Sequence, residues 1–187
     1  RDSDDLERGL RELVRRELVR RERQSSVEGE SEYGFRHQLI RDVAYAQIPR
    51  AQRSDRHRRT AEWIASLGRT EDHAELLAHH YLEALAYGRA SGADMRSFAK
   101  PALAALADAG ERALVLGAYP SAARYFKAGL EHFSERSEVR AEWLYRCGAA
   151  LCWGENRGVR ELERAVSELR GFDREMAARA ALLLAHL

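Results

Sequence analysis

Three groups of side chains in this sequence are of types that can do chemistry. His37, Arg41 and Asp42 can be drawn as a charge relay, a base held by a carboxylate. No serine or cysteine in a nucleophile's motif context accompanies them. Structural roles are favoured instead: ion pairs among Arg36, Arg41 and Asp42 that fix a strand-to-helix corner, with His37 satisfied at the helix start. His73, His79 and His80 lie near Glu71, Asp72 and Glu75, a set that could hold zinc. A helical metal site needs ligands three or four residues apart, because one turn rises about 5.4 Å. His73 and His79 are six apart, so packed or capping histidines are expected and no metal. Cys147 and Cys152, five apart, match neither a CxxC pair nor a zinc spacing. They read as structural thiols in a reduced, cytoplasmic compartment.

A fourth group is basic. Arg11, Arg15, Arg16, Arg20, Arg21 and Arg23 form a run that a phosphate backbone would reward. Glu12, Glu17 and Glu22 interleave with it, Glu28, Glu30 and Glu32 follow, and no aromatic precedes Tyr33 for stacking. A solvated or intramolecular face is favoured over nucleic acid. The whole chain has 31 basic and 30 acidic residues, a net charge of +1, so no global field draws a polyanion. No apolar run approaches the roughly 20 residues that span a bilayer, and the charged start "RDSDDLERGL" lacks a signal-peptide core. The chain opens without Met and closes inside an apolar helical pattern, so both ends are expected to be cuts from a longer protein.

The elements that must position these residues follow from apolar spacing. Leu6, Leu10, Leu13 and Val14 predict an amphipathic helix over residues 4–16, with Ser3, Asp4 and Asp5 as capping candidates. The period then changes. "SSVEGES" (25–31) is a turn, and "EYGFRH" (32–37) puts Tyr33, Phe35 and His37 on one side of a strand. Helix, strand, turn, strand is the closing half of a winged helix. Leu39, Ile40, Val43 and Ala44 mark a short helix, Pro49 starts the next, and Gly68 ends it after Ala61, Trp63, Ile64 and Leu67. Leu76, Leu77, His80, Tyr81, Ala84 and Leu85 form one stripe over 71–87, and "GRASGAD" (88–94) is the clearest loop. Pro101 is expected in the first turn of a long Ala/Leu-rich helix over 95–117, or as a kink in it. Helices at 119–133, 138–153, 158–170 and 173–187 complete the chain.

"AGERALVLGAYPSAARYFKAGLEHF" (109–133) matches a tetratricopeptide repeat. In that match Gly110 lets two helices touch, Gly117 and Tyr119 make the turn, and Ala122 sits at the crossing. Tyr125 and Phe126 fill the groove, and Gly129 with Leu130 completes the second helix. A weaker unit at 144–169 has Gly148, Leu151, Leu162, Ala165 and Val166 in comparable places, with an irregular turn and no clear small residue at its crossing. Tyr81, Tyr87, Tyr119, Tyr125, Phe126, Trp143 and Tyr145 are read as core of such hairpins. The first helix of each hairpin would line a concave partner surface, with Glu111, Arg112, Val115, Tyr145 and Arg146 as candidates.

"YGFRHQLIRDVAYAQIPRAQRSDRHRRTAEWI" strongly resembles a segment of STAND-type signalling ATPases, in which a winged helix follows the nucleotide-binding module and tetratricopeptide-like helices come next. Phe35, Arg36, His37, Leu39, Ile40, Arg41, Asp42, Val43, Ala44 and Tyr45 carry the likeness. Pro49, Arg50, Arg53, His57, Trp63 and "AELLAHHYLEA" (74–84) extend it. A phosphate-binding GxxxxGK[ST] loop is absent, so the resemblance implies ATP only in an upstream domain and no cofactor in this chain. Phe35, Arg36, His37, Arg41, Asp42 and Tyr45 then read as an interdomain joint. The expected fold is mostly α: a superhelix of tetratricopeptide-like hairpins behind a small partial winged helix that contains a β-hairpin. The expected parts are 1–37 (winged helix), 38–94 (helical linker and first hairpins) and 95–187 (repeats). The expected function is a non-catalytic interaction and sensor region of a cytoplasmic bacterial regulator, with a protein or peptide partner, an upstream ATPase domain, and no membrane. A DNA-binding winged helix and a free-standing peptide-binding scaffold are the alternatives.

Overall fold

The computed structural model describes residues 2–25, 27, 29–68, 73–133 and 135–187. The chain divides into two compact units, Arg1–Pro49 and Arg50–Leu187. Residues 38–94 are therefore shared between them.

The first unit contains α1 (Asp2–Arg15), β1 (Val19–Arg21), β2 (Tyr33–Phe35) and α2 (Gln38–Ala46). Because α1 begins at Asp2, Ser3, Asp4 and Asp5 lie inside its first turn and not ahead of it as caps. Carboxylates there still complement the helix dipole. The helix ends in a Schellman pattern: Leu18 N–H donates to the Leu13 carbonyl and Glu17 N–H to the Val14 carbonyl. That places Glu17 in the left-handed region, with φ 58°. β1 and β2 form an antiparallel pair in which Val19 faces Phe35, Arg20 faces Gly34 and Arg21 faces Tyr33. Glu22 lies over Gly34, where a Cβ would meet its Oε1 at 2.5 Å. The strand stops at Phe35, so His37 does not share a strand face with Tyr33 and Phe35. It stands in extended conformation just ahead of α2, and its side chain makes no capping bond. None of the α2 side chains is buried, and Leu39 and Val43 are exposed.

The second unit is a run of seven helices among the described residues: α3 (Arg50–Ser66), α4 (Ala74–Ser91), α5 (Arg96–Val115), α6 (Tyr119–Leu130), α7 (Glu138–Glu155), α8 (Val159–Leu169) and α9 (Arg174–His186). Each packs on the next, and α4 also meets α6 and α7 meets α9. Close approach depends on missing side chains. A Cβ on Gly110 would stand 2.6 Å from the Phe126 ring, one on Gly129 would overlap the Trp143 indole, and one on Gly148 would meet Leu162 at 2.7 Å. Ala122, Phe126, Leu162 and Ala165 are fully buried. Burial of a ring such as Phe126 stabilises the fold by about 2–3 kcal/mol. Gly158, in the left-handed region, stands where a Cβ would meet the Gly148 carbonyl, and it supplies the small residue at the α7–α8 turn.

Two local expectations change. Residues 88–91 are the last turn of α4 and not loop, because Gly88 is buried where a Cβ would crowd Met95 and Ser54. Ser54 Oγ in turn donates to the Ala84 carbonyl at 2.8 Å. The helix stops instead at Gly92, left-handed with φ 67°. Pro101 is the sixth residue of α5, which excludes the first-turn alternative and leaves the interior one, with one backbone hydrogen bond toward residue 97 forfeited inside the helix. Caps are conventional at α7 and α9, where Ser137 Oγ and Asp173 Oδ1 accept from the backbone N–H groups of Arg140 and Met176. Among the described residues no helix is long and apolar enough to cross a membrane.

Candidate interaction surface

The residues of the expected joint all lie in the first unit. Arg36 N–H donates to the Leu18 carbonyl and its guanidinium meets Glu17 at 3.5 Å. Asp42 accepts from Gln38 Nε2 at 2.9 Å, one turn away on the same helix. The expected pairing among Arg36, Arg41 and Asp42 is thus replaced by neighbours that hairpin register and helical spacing bring nearer. Phe35 is exposed and Tyr45 half-buried. The basic run is largely answered in place: Arg11 pairs with Glu7, Arg15 and Arg16 with Glu12, and Arg20 with Glu22. Arg21 donates to Ser31 Oγ at 2.8 Å.

Histidines gather where local spacing does not place them. His57 on α3 meets His80 on α4, Nδ1 to Nδ1, at 2.9 Å. The His79 ring stands 5.3 Å from that of His80. Burial first, then the neighbouring His57 and His79, pushes His80 down to about 4, and burial likewise lowers His57. Among the described residues no group of three or more His, Cys, Asp or Glu side chains can hold a metal ion. His73 stands at the α4 N-cap position without a side-chain capping bond, and Glu71 and Asp72 lie outside the described residues. His57 belongs with Ser54, Ala61 and Ile64 at i, i+3, i+7 and i+10 on the inward face of α3. That spacing is the signal by which it could have been found.

Cys147 and Cys152 are free and buried. Burial pushes the Cys147 thiol up to about 12, which leaves it an inert core group.

Of the five expected partner residues, the structure draws two together. Arg146 on α7 forms ion pairs with Glu111 on α5 and, at 2.5 Å, with Glu142. This bridge ties α5 to α7 and leaves neither Glu111 nor Arg146 uncommitted. Tyr145 is half-buried against the α7–α9 core. Val115 is 85% exposed. Arg112 is placed differently, in an open groove of about 560 Å³ with His73, His79, Leu116 and Arg124. A second groove, about 380 Å³, has Arg124 in common with the first and is lined by Leu82, Leu85 and Arg89 of α4 and by Lys127 of α6. Arg124 and Lys127 were not anticipated from sequence. Their signal is the exposed stripe Pro120, Arg124, Lys127 and Glu131, complementary to the buried Tyr125, Phe126 and Gly129 on the same helix.

The α7–α8 hairpin carries a further polar feature. Arg140 and Glu168 form a buried ion pair, with their side chains 12% and 5% exposed, beside a groove of about 220 Å³ that Arg136, Arg164 and Ser167 complete. No protein-family model matches the chain, and neither does a curated protein or a solved structure.

Proposed function

We propose that this chain is a non-catalytic interaction and sensor region of a STAND-like signalling or transcription regulator. In this reading α3 to α9 are tetratricopeptide-like hairpins of a superhelix, and α1 to α2 are the closing part of a winged helix. The helices couple the binding of an effector or partner to an upstream ATPase module, by a shift in packing between two states of different affinity. The single observation that carries it is the repeated glycine-to-bulky contact in successive hairpins. Gly110 against Phe126 and Gly148 against Leu162 each join the two helices of a pair, and Gly129 against Trp143 joins one pair to the next. Such hairpins gain stability by stacking, so their product is contact surface. Support for the family reading comes from the residues of the Phe35–Trp63 segment. The local pairing of the basic run favours it over DNA binding, since paired arginines release fewer counterions from a phosphate backbone.

The test is a cut at the boundary between the units in the parent protein. Removing residues 50–187 is expected to change basal nucleotide hydrolysis and abolish its response to the inducer, while residues 50–187 alone fold and show no turnover. A parent without a nucleotide-binding loop upstream, or hydrolysis indifferent to the deletion, overturns the proposal. A cut at residue 90 would not serve, because α3 and α4 share the core of the second unit.

A further inference from the structure

We infer that the groove along α4 and α6 is a docking site for an acidic peptide segment of a partner protein, with apolar side chains between its carboxylates. The two stretches of the groove share Arg124 and run beside α4 from Leu76 to Arg89. Thirteen residues of helix rise about 20 Å, the span of about six residues of extended chain.

Charge selects the occupant. Four permanent cations line the groove, Arg89, Arg112, Arg124 and Lys127, against two carboxylates, Glu75 and Glu131. The chain as a whole carries only +1. Arg89 is answered within the groove by Glu131. Arg124 lies over the Tyr125 ring, 5.1 Å from its centroid, donates to the Tyr125 hydroxyl at 3.4 Å, and forms no ion pair with a carboxylate among the described residues. Among the described residues Arg112 and Lys127 form neither a side-chain hydrogen bond nor an ion pair. Among the described residues three cations therefore line the groove without an anionic partner, together with Leu76, Leu82, Leu85 and Leu116. Beside apolar surface a charge pair is screened less than in bulk water, so a carboxylate placed here gains more than at an ordinary exposed arginine. An acidic peptide with leucine or phenylalanine between its carboxylates answers both the charge and the apolar lining. Nucleic acid fits less well. Tyr125, the aromatic beneath Arg124, is 3% exposed and offers no face for a base to stack on, and three cations neutralise only a few phosphates.

Neither Glu111 nor Arg146 lines this groove, and the inference stands whether or not the parent is a STAND-like regulator. Random peptides of about twelve residues, twice the extended span of the groove, are displayed and selected against the whole chain. Enriched sequences are then measured as labelled peptides by fluorescence anisotropy. Net-acidic peptides containing leucine or phenylalanine are expected, with Kd rising as salt is added. A combined R112E, R124E and K127E variant is expected to weaken them at least tenfold, while Arg160→Glu on α8 leaves them unchanged. All of these side chains are exposed, so the fold should tolerate the changes. A thermal melt checks it, and the milder pair Arg124→Gln and Lys127→Gln replaces the triple variant if it melts early. Failure to enrich any peptide, enrichment of neutral or basic ones, binding that survives charge reversal, or single-stranded nucleic acid displacing the acidic peptides more tightly would each refute the inference.

Discussion

Replacing Gly129 with alanine adds one methyl group to α6 at a point where the Trp143 indole already occupies the space. In an exposed helix the same change is favourable by about 0.5–1 kcal/mol, because glycine loses more backbone entropy on folding. Gly129 is buried, Trp143 is 5% exposed, and the Trp143 ring makes edge contacts with Phe126 and Phe133, each at 5.5 Å between centroids. A shift of the indole disturbs these ring contacts in a buried site, so the overpacking cost falls at the upper end of the usual range of about 1–3 kcal/mol. With the cost at the upper end, about 3 kcal/mol, subtracting the helix gain leaves a net destabilisation of about 2–2.5 kcal/mol. Gly9 provides the control, since it sits in α1 with nothing within 4 Å of a Cβ. Gly9→Ala should therefore stabilise, or leave stability unchanged, where Gly129→Ala destabilises. The assay is urea unfolding, read as a shift in midpoint at constant slope. A smaller indole replacement, Trp143→Leu, introduced with Gly129→Ala should recover part of the loss and give a coupling energy of opposite sign to the clash. A Gly129→Ala protein as stable as the parent would refute the argument that this crossing is set by steric contact.

Acid should destabilise the second unit through its histidines. The folded state holds His80 neutral down to about 4, whereas the unfolded chain protonates it near 6.5, so stability is full above about pH 7 and falls between those values. The ring is half exposed, which reduces the loss to about 1–2 kcal/mol. Urea midpoints at both ends of the window, compared with His80→Gln, check the slope, and an unchanged slope in the variant refutes the assignment. Glu17→Gly should stabilise by about 1 kcal/mol, because glycine takes the left-handed position at the end of α1 without cost and the 3.5 Å pair with Arg36 is exposed and weak. Calorimetry would detect it as a higher Tm. Cys147 should resist thiol reagents in the folded protein and react only on unfolding, a rate that pulsed alkylation followed by mass analysis measures. Arg140→Ala should cost about 3–5 kcal/mol, since it leaves the Glu168 carboxylate buried without a cation, and Arg136→Ala nearby on the surface should not.

The helices, their order and most of their ends are set by local sequence. Apolar residues at helical spacing, Gly68 and Gly92 in left-handed stops, and Ser137 and Asp173 as caps act within a few residues of themselves. The turn at Gly117 and the close helix approach at Gly110 follow from local sequence for the same reason, because the hairpin is short, whereas the partner of Gly110, the Phe126 ring, is given by the packing. Tertiary contacts override local signals at the end of α4. "GRASGAD" has loop composition, yet Gly88 serves as the point where α4 admits Ser54 and Met95.

What the sequence by itself determined is therefore a set of amphipathic helices with a β-hairpin near the start. Only the tertiary structure decided which charges meet. His57 faces His80 across 23 positions, Arg140 faces Glu168 across 28, and Arg146 reaches Glu111 on another helix. It also decided that Arg112, Arg124 and Lys127 share one groove. Helical periodicity fixes the face on which a side chain lies. Which element lies opposite that face follows from packing, which local spacing does not encode.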